Sequence, residues 1–216
     1  MVLIETKGPA PDELTLSVNQ MARIVLNKIS ADTCGGQAHV PFGRATITLA
    51  NPAADHVAVT AVRIVPRLDS EALEIPAWDF YELSEGVNWQ SMFSQATREG
   101  VLLRGMRGWV EARYYFYSDA DCDVTIALSA LNDAPGPNEY DVGVANEPNK
   151  RELLTFDSEN NELSTRESGA QHVAKGLNLL RVRYRGGRNE PEVKTAATMR
   201  VNGISKVELH RKMNEK

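Results

Sequence analysis

The sequence is short of the residues that usually announce chemistry. It has two cysteines, Cys34 and Cys122, in 216 residues. They stand far apart and match no metal-ligand spacing, which excludes a cysteine-rich zinc site and a disulfide framework. They read as two free, partly buried thiols of a reducing compartment, with one long-range bridge as the alternative. The four histidines, His39, His56, His172 and His210, fall in no HExxH pattern. There is no GxSxG elbow and no glycine-rich phosphate loop. Pieces such as RYRGGR are turns between strands, so they offer no helix N-terminus to a phosphate. No catalytic residue, cofactor or metal site is assigned. Asp119, Asp121 and Asp123 have the DxDxD spacing of a calcium loop, but no glycine turns the loop and no glutamate closes it. A solvated loop tip is the plainer reading.

Long apolar runs are missing too. None approaches the roughly 20 residues of a membrane-spanning helix, so membrane insertion is not expected. The opening MVLIETKGPAPDEL carries charges and two prolines where an export signal would be apolar. The expectation is a protein made in a cytoplasm, whether it stays there or is assembled into a virus particle. Basic residues are outnumbered, 24 Lys and Arg against 29 Asp and Glu, for a net charge of −5. That argues against a nucleic-acid partner.

What is present is alternation. Leu14, Leu16 and Val18 alternate with polar residues, as do Ala22, Ile24 and Leu26. Ala45, Ile47 and Leu49 point one way while Thr46 and Thr48 point the other. HVAVTAVRIVP changes phase near Ala61, the mark of a bulge. Val110, Ala112, Tyr114 and Phe116 share a face. So do Val124, Ile126 and Leu128, then Tyr140, Val142 and Val144, and finally Val207 and Leu209. Period two at this spacing, with turn residues between the runs, predicts an all-β chain, an antiparallel, jelly-roll-like β-sandwich. NPAAD (Asn51 to Asp55) and SDAD (Ser118 to Asp121) read as hairpin connections. APGPN and RGGRNEP read as loops. The reading takes residues 1–216 as one sandwich domain, with 84–108 as the place of any internal boundary.

One segment breaks the rhythm. Glu74 to Val101 is an irregular crossover with room for one short helix in WQSMFSQATREG, from Asn88 as N-cap to Gly100 as stop. It holds Trp78, Phe80, Tyr81, Trp89 and Phe93 in a chain that is only 6% aromatic. Trp78, Asp79, Tyr81 and Trp89 together offer ring faces and polar groups, the needs of a sugar ligand. The same aromatics also suit a plug for one end of the sandwich, or an anchor for a partner subunit.

The stretch GLNLLRVRYRGG puts Leu180, Val182 and Tyr184 on one face and Arg181, Arg183 and Arg185 on the other. The arginine side reads first as the wet side of a strand, paired to acids across it. Two alternatives are a local anion-attracting patch formed together with Arg104, Arg107 and Arg113, and contact with a neighbouring subunit.

From Trp109 to Leu209 the order of phrases resembles carbohydrate-binding modules of the galactose-binding-like β-sandwich type. ARYYFYSDADCDVTIALSAL is followed by EYDVGVAN, then by a glycine–asparagine–strand phrase at Gly176, Asn178 and Leu180. A closing strand with Ile204, Val207 and Leu209 ends the series. The resemblance implies a jelly-roll sandwich that binds glycans without catalysis. Ser205 stands where those modules often carry an aspartate, a departure that bears on their structural calcium site. RATITLANPAADHVAVTAVRIVP resembles the strand–Asn-Pro–strand phrase of immunoglobulin-like structural domains. Two functions follow. One is a non-enzymatic carbohydrate-binding module with a glycan as partner. The other is a homo-oligomeric subunit of a phage or virus particle, a capsid, decoration or other outer component, with neighbouring subunits as partners.

Overall fold

The computed structural model describes residues 1–19, 23–38, 46–53, 56–68, 71–77, 79–80, 82–83, 92–97, 100–105, 110–132, 137–145, 150–157, 163–187 and 202–212. The chain divides into two compact units, Met1–Pro66 and Arg67–Lys216.

The first unit is built from β1 (Val2–Thr6), β2 (Glu13–Val18), β3 (Arg23–Lys28), β4 (Thr33–Gly36), β5 (Ile47–Ala50) and β6 (Val59–Ile64), in the sheet order β5-β2-β3-β4-β1-β6. The alternation read from the sequence sets its faces. Leu14, Leu16, Val18 and Leu26 are buried with Val2, Ile4 and Cys34, and Ile24, Ile47 and Leu49 pack against them half-buried. The phase change near Ala61 is a bulge at Thr60, because Glu5 pairs with Ala61 while Thr6 pairs with Val59. NPAAD is not a hairpin connection. β5 pairs with β2 and β6 with β1, at opposite edges of the sheet. The turn itself forms, since Asn51 Oδ1 accepts the Ala53 amide at 3.1 Å. Turn residues specify a local reversal; the partner of the next strand is decided elsewhere.

The second unit has two sheets. One runs β15 (Glu152–Phe156), β14 (Asn138–Val144), β18 (Gly176–Gly187), β12 (Val110–Ser118), β7 (Arg67–Leu68), with β9 (Glu82–Leu83) also on β12. The other runs β10 (Met92–Thr97), β11 (Gly100–Gly105), β19 (Asn202–Arg211), β13 (Cys122–Asn132), β16 (Leu163–Glu167), with β17 (Gln171–Val173) on β13 and β8 (Ala72–Pro76) on β19. Pairing is antiparallel except for β7 beside β12. Tyr114, Phe116, Tyr140, Phe156, Val182 and Tyr184 from the first sheet share one core with Ile126, Leu128, Val207 and Leu209 from the second. The all-β sandwich expected from the alternation is what forms.

Two local expectations are corrected. SDAD does not close a hairpin, because β12 and β13 belong to different sheets. It arches between layers, with Ser118 Oγ donating to Ala120 O at 2.7 Å. The short helix is a β-hairpin instead. Met92–Thr97 pairs residue for residue with Gly100–Gly105, and β11 then meets β19 at Ile204. Gly100 opens a strand where a helix stop was expected, and Asn88 lies outside the described residues. Pairing into a sheet overrides a weak helical preference.

Polar groups in the core are linked together. Asn132 Nδ2 donates to Phe156 O at 2.7 Å, Asn138 Nδ2 to Asn132 Oδ1 at 2.6 Å, and the Tyr184 hydroxyl to Asn138 Oδ1 at 3.2 Å. Satisfied chains of this kind avoid the cost of burying lone polar atoms. The glycine–asparagine phrase also gains a physical reason. Gly176 sits at φ +108°, which disfavours any side chain there. Buried Asn178 donates through Nδ2 to Ala174 O and Gly176 O at 2.7 and 3.0 Å, tying the turn that launches β18.

Candidate functional site

The outward face of β12, β14 and β18 collects charge. Their inward residues, among them Ala112, Tyr114, Val142, Leu180 and Val182, are spent on the core. Strand alternation therefore sends Glu111, Arg113 and Tyr115 outward from β12, Arg181, Arg183 and Arg185 from β18, and Asp141 from β14. The register sets Glu111 and Asp141 on either side of Arg183, and Arg113 and Gly143 on either side of Arg181. Arg151, just before β15, completes the group. Gly143 makes room for it: a Cβ there would stand 3.3 Å from Arg151 Cγ.

Glu111 is the centre, only 2% exposed although charged. Arg113 Nε donates to its Oε1 at 2.9 Å and Arg183 to its Oε2 at 3.2 Å. Arg151 lies at 3.4 Å and Arg181 at 3.8 Å. These four guanidinium side chains are between 25 and 31% exposed, so one edge of the cluster faces solvent. Burial alone would raise the Glu111 pKa. The Arg113 hydrogen bond and the charges of Arg151, Arg181 and Arg183 outweigh it and hold the carboxyl below its ordinary value. Arg113 and Arg181 sit directly opposite, a repulsive pairing that the carboxylate between them offsets.

The expectation that the arginines of β18 pair with acids across the strand fits Arg183, opposite Glu111 and bonded to it at 3.2 Å, and Arg185, which has Asp141 at 3.4 Å. What it does not anticipate is that Arg113, Arg151 and Arg181 gather on the same Glu111 carboxylate. The Nε atoms of Arg181 and Arg183 are buried without a hydrogen-bond partner among the described residues. Sequence reading had the arginines of β18 and missed Glu111 and Arg151. The signal for Glu111 was available in VEARYYFY, where a glutamate alternates out of phase with Ala112, Tyr114 and Phe116. Arg151 has no comparable signal.

Of the predicted ligand residues, Trp78, Tyr81 and Trp89 lie outside the described residues. Asp79 is exposed, with its amide donating to Pro76 O at 3.0 Å in a turn after β8. Phe80 is half-buried against the core. The Tyr114 hydroxyl donates to Ala77 O at 2.6 Å, so the start of the aromatic segment is tied to β12. Burial, with the Asp79 charge adding to it, raises the Tyr114 phenol above its ordinary pKa. The DxDxD aspartates are engaged separately. Asp119 pairs with Arg67, Asp121 accepts the Lys175 amide at 2.8 Å, and Asp123 meets His172 at 3.3 Å. Cys34 and Cys122 are free thiols, and Cys34 Sγ donates to Pro11 O at 3.1 Å.

No protein-family model and no curated protein matches the sequence. Solved structures do match. A family 6 carbohydrate-binding module, described in a dissection of its binding sub-sites, aligns at TM-score 0.50 and 8% identity over 69% of this chain and 99% of that one. The fold is that of a carbohydrate-binding module. The GH26-CBM35 β-(1,4)-mannanase of Podospora anserina also aligns at TM-score 0.50, with 12% identity over 68% of this chain and 29% of that one. The chain thus spans under a third of that enzyme. Identities this low carry the architecture of the module and no residue roles.

Proposed function

We propose that the chain is a non-enzymatic glycan-binding module, with Trp78, Asp79, Tyr81 and Trp89 as its ligand platform. The observation that carries this reading is the sandwich likeness to a carbohydrate-binding module over 99% of that module's length. Site chemistry points the same way. Acid–base work on a glycosidic bond needs one carboxyl with a raised pKa. On the charged face, Glu111 is held below its ordinary value by arginines and Asp141 is paired to Arg185. Such groups orient and attract rather than transfer protons.

Affinity electrophoresis through gels containing soluble neutral and charged polysaccharides tests the proposal. At least one polysaccharide is expected to retard the wild-type chain, and Trp78→Ala and Trp89→Ala are expected to restore free migration. Light scattering on the same samples is expected to give a monomer near 23.8 kDa. A defined multimer that no polysaccharide retards would instead favour a subunit of a phage or virus particle.

A further inference from the structure

We infer that the free edge of β6, in the first unit, is a docking site for an extended segment of a partner protein, one that alternates apolar and polar residues and adds to the sheet as a further strand. The site is independent of the glycan-binding reading.

Register decides which way the backbone of β6 points. The Met1 amino group donates to Val65 O at 2.9 Å, and the Val65 amide donates back to Met1 O at 2.9 Å. Along an antiparallel pair, residues that exchange both bonds alternate with residues that exchange none. Counting on from Met1 and Val65, the bonded pairs are Leu3 with Arg63 and Glu5 with Ala61. The unbonded pairs are Val2 with Ile64 and Ile4 with Val62. The N–H and C=O groups of Val62 and Ile64 therefore point away from β1, and among the described residues no other strand pairs with β6 to meet them.

The same two residues have exposed side chains. Val62 and Ile64 lie on the face that buries Ile4 and Val2, and no other large apolar residue described is as exposed as Ile64. Edges of this kind are ordinarily blunted by lysine, proline or a bulge. In β6 the bulge is confined to Thr60, Pro66 lies beyond the strand, and Ala61 to Ile64 pair in unbroken register. Its one charge, Arg63, is held by Glu5, with Nε donating to Oε1 at 2.7 Å. The other edge of the sheet differs. On β5, Ile47 and Leu49 pack half-buried against the core, and Thr48 and Ala50 are what solvent meets.

A strand laid along β6 meets both needs at once. Its main chain pairs with Val62 and Ile64, and its alternate side chains cover them. The residue between its apolar positions shares the other face with the Arg63–Glu5 pair, which suits a polar side chain. A second copy of the chain fits less well. The exposed side chains of one six-residue strand fall far short of the roughly 1,200 Å² that a stable contact between subunits buries. Two-fold pairing of β6 with itself is also poorly matched. The antiparallel register that sets Val62 against Ile64 sets Arg63 against Arg63, like charges opposite.

Fluorescence anisotropy on the full chain tests the inference with a labelled peptide in which Val and Thr alternate, flanked by lysines for solubility. The peptide is expected to bind. A shuffled peptide of the same composition, with its valines grouped together, is expected to bind about tenfold more weakly. In antiparallel pairing, the more stable arrangement, the valine amides face β6, so N-methylation of those amides is expected to abolish binding with every side chain in place. Val62→Lys and Ile64→Lys are each expected to weaken the peptide by about tenfold, and Thr48→Lys on the other edge to change nothing. Both lysines enter at exposed positions, so the melting temperature is expected to stay at the wild-type value, and the shuffled and N-methylated peptides test the same point on unaltered protein. Equal binding of the shuffled peptide would overturn the inference in favour of a general apolar patch. Binding that survives both lysine variants would place the peptide elsewhere and overturn it too. Dimers that dissociate in Ile64→Lys, found by light scattering in place of peptide binding, would give the edge to a second copy and overturn it. No binding of the alternating peptide would overturn it outright.

Discussion

The two units solve the same problem with different materials. In the first, the buried cluster is aliphatic: Val2, Ile4, Leu14, Leu16, Val18 and Leu26, with Cys34. Its edge strand β6 leaves Val62 and Ile64 46 and 52% exposed, although they stand opposite buried Ile4 and Val2. In the second, Tyr114, Phe116, Tyr140, Phe156 and Tyr184 fill the space between two sheets, and buried amides tie strand to strand. Among the described residues of the first unit one sheet supplies the buried cluster, and its edge strand β6 stays half wet. A sandwich buries large rings from both sides and thereby frees its outward faces for other work. That freedom is what allows five arginines to gather on one face of the second unit.

Breaking each core in turn tests whether the units are separate. Phe116→Ala is expected to cost about 3–5 kcal/mol and to lower one denaturant transition while leaving another unchanged. A single transition that shifts as a whole would instead mean one cooperative core. Leu16→Ala is expected to cost about 2–4 kcal/mol and to lower the other transition. The turn into β18 is next in size. Asn178→Ala strands two carbonyls in a half-buried turn and is expected to cost about 1–3 kcal/mol, read as a drop in the second unit's melting temperature. An unchanged melt would show that the asparagine is dispensable.

The smallest effect concerns acid. The Glu111 carboxyl is depressed in the folded chain, so its contribution to stability is present above the ordinary glutamate pKa, about 4.3. It fades as pH falls through the depressed folded value. Wild type is therefore expected to lose stability below about pH 4.3 more steeply than Glu111→Gln. Parallel pH profiles would show that the arginine cluster does not stabilise the ionised form.

The sequence made some of this readable and hid the rest for definable reasons. Alternation gave the inward residues of β2, β12, β14 and β18 because each strand has one covered face. It was less informative for β13, where Ala127 and Ser129 are buried beside Ile126 and Leu128. Small residues on the second face sit beneath neighbouring side chains, and small residues carry little pattern. Turn residues located the reversals at Asn51 and Ser118 but not the partners of the strands, because pairing across a sheet is a long-range choice. A sharper clue to the division at Pro66 lay in composition. Phe42 is the only aromatic in the first 66 residues, and the rings of the sandwich core, Tyr114, Phe116, Tyr140, Phe156 and Tyr184, all follow it. The arginines of β18 were visible as a row. Their shared carboxylate was not, since it comes from a strand some 70 residues earlier and is placed only by the register between β12 and β18.

The central claim is that the second unit is a glycan binder, and a glycan array probed with the intact chain at low and at moderate salt tests it most directly. The account predicts a defined set of retained glycans. An array with no retained glycan at either salt concentration would contradict it.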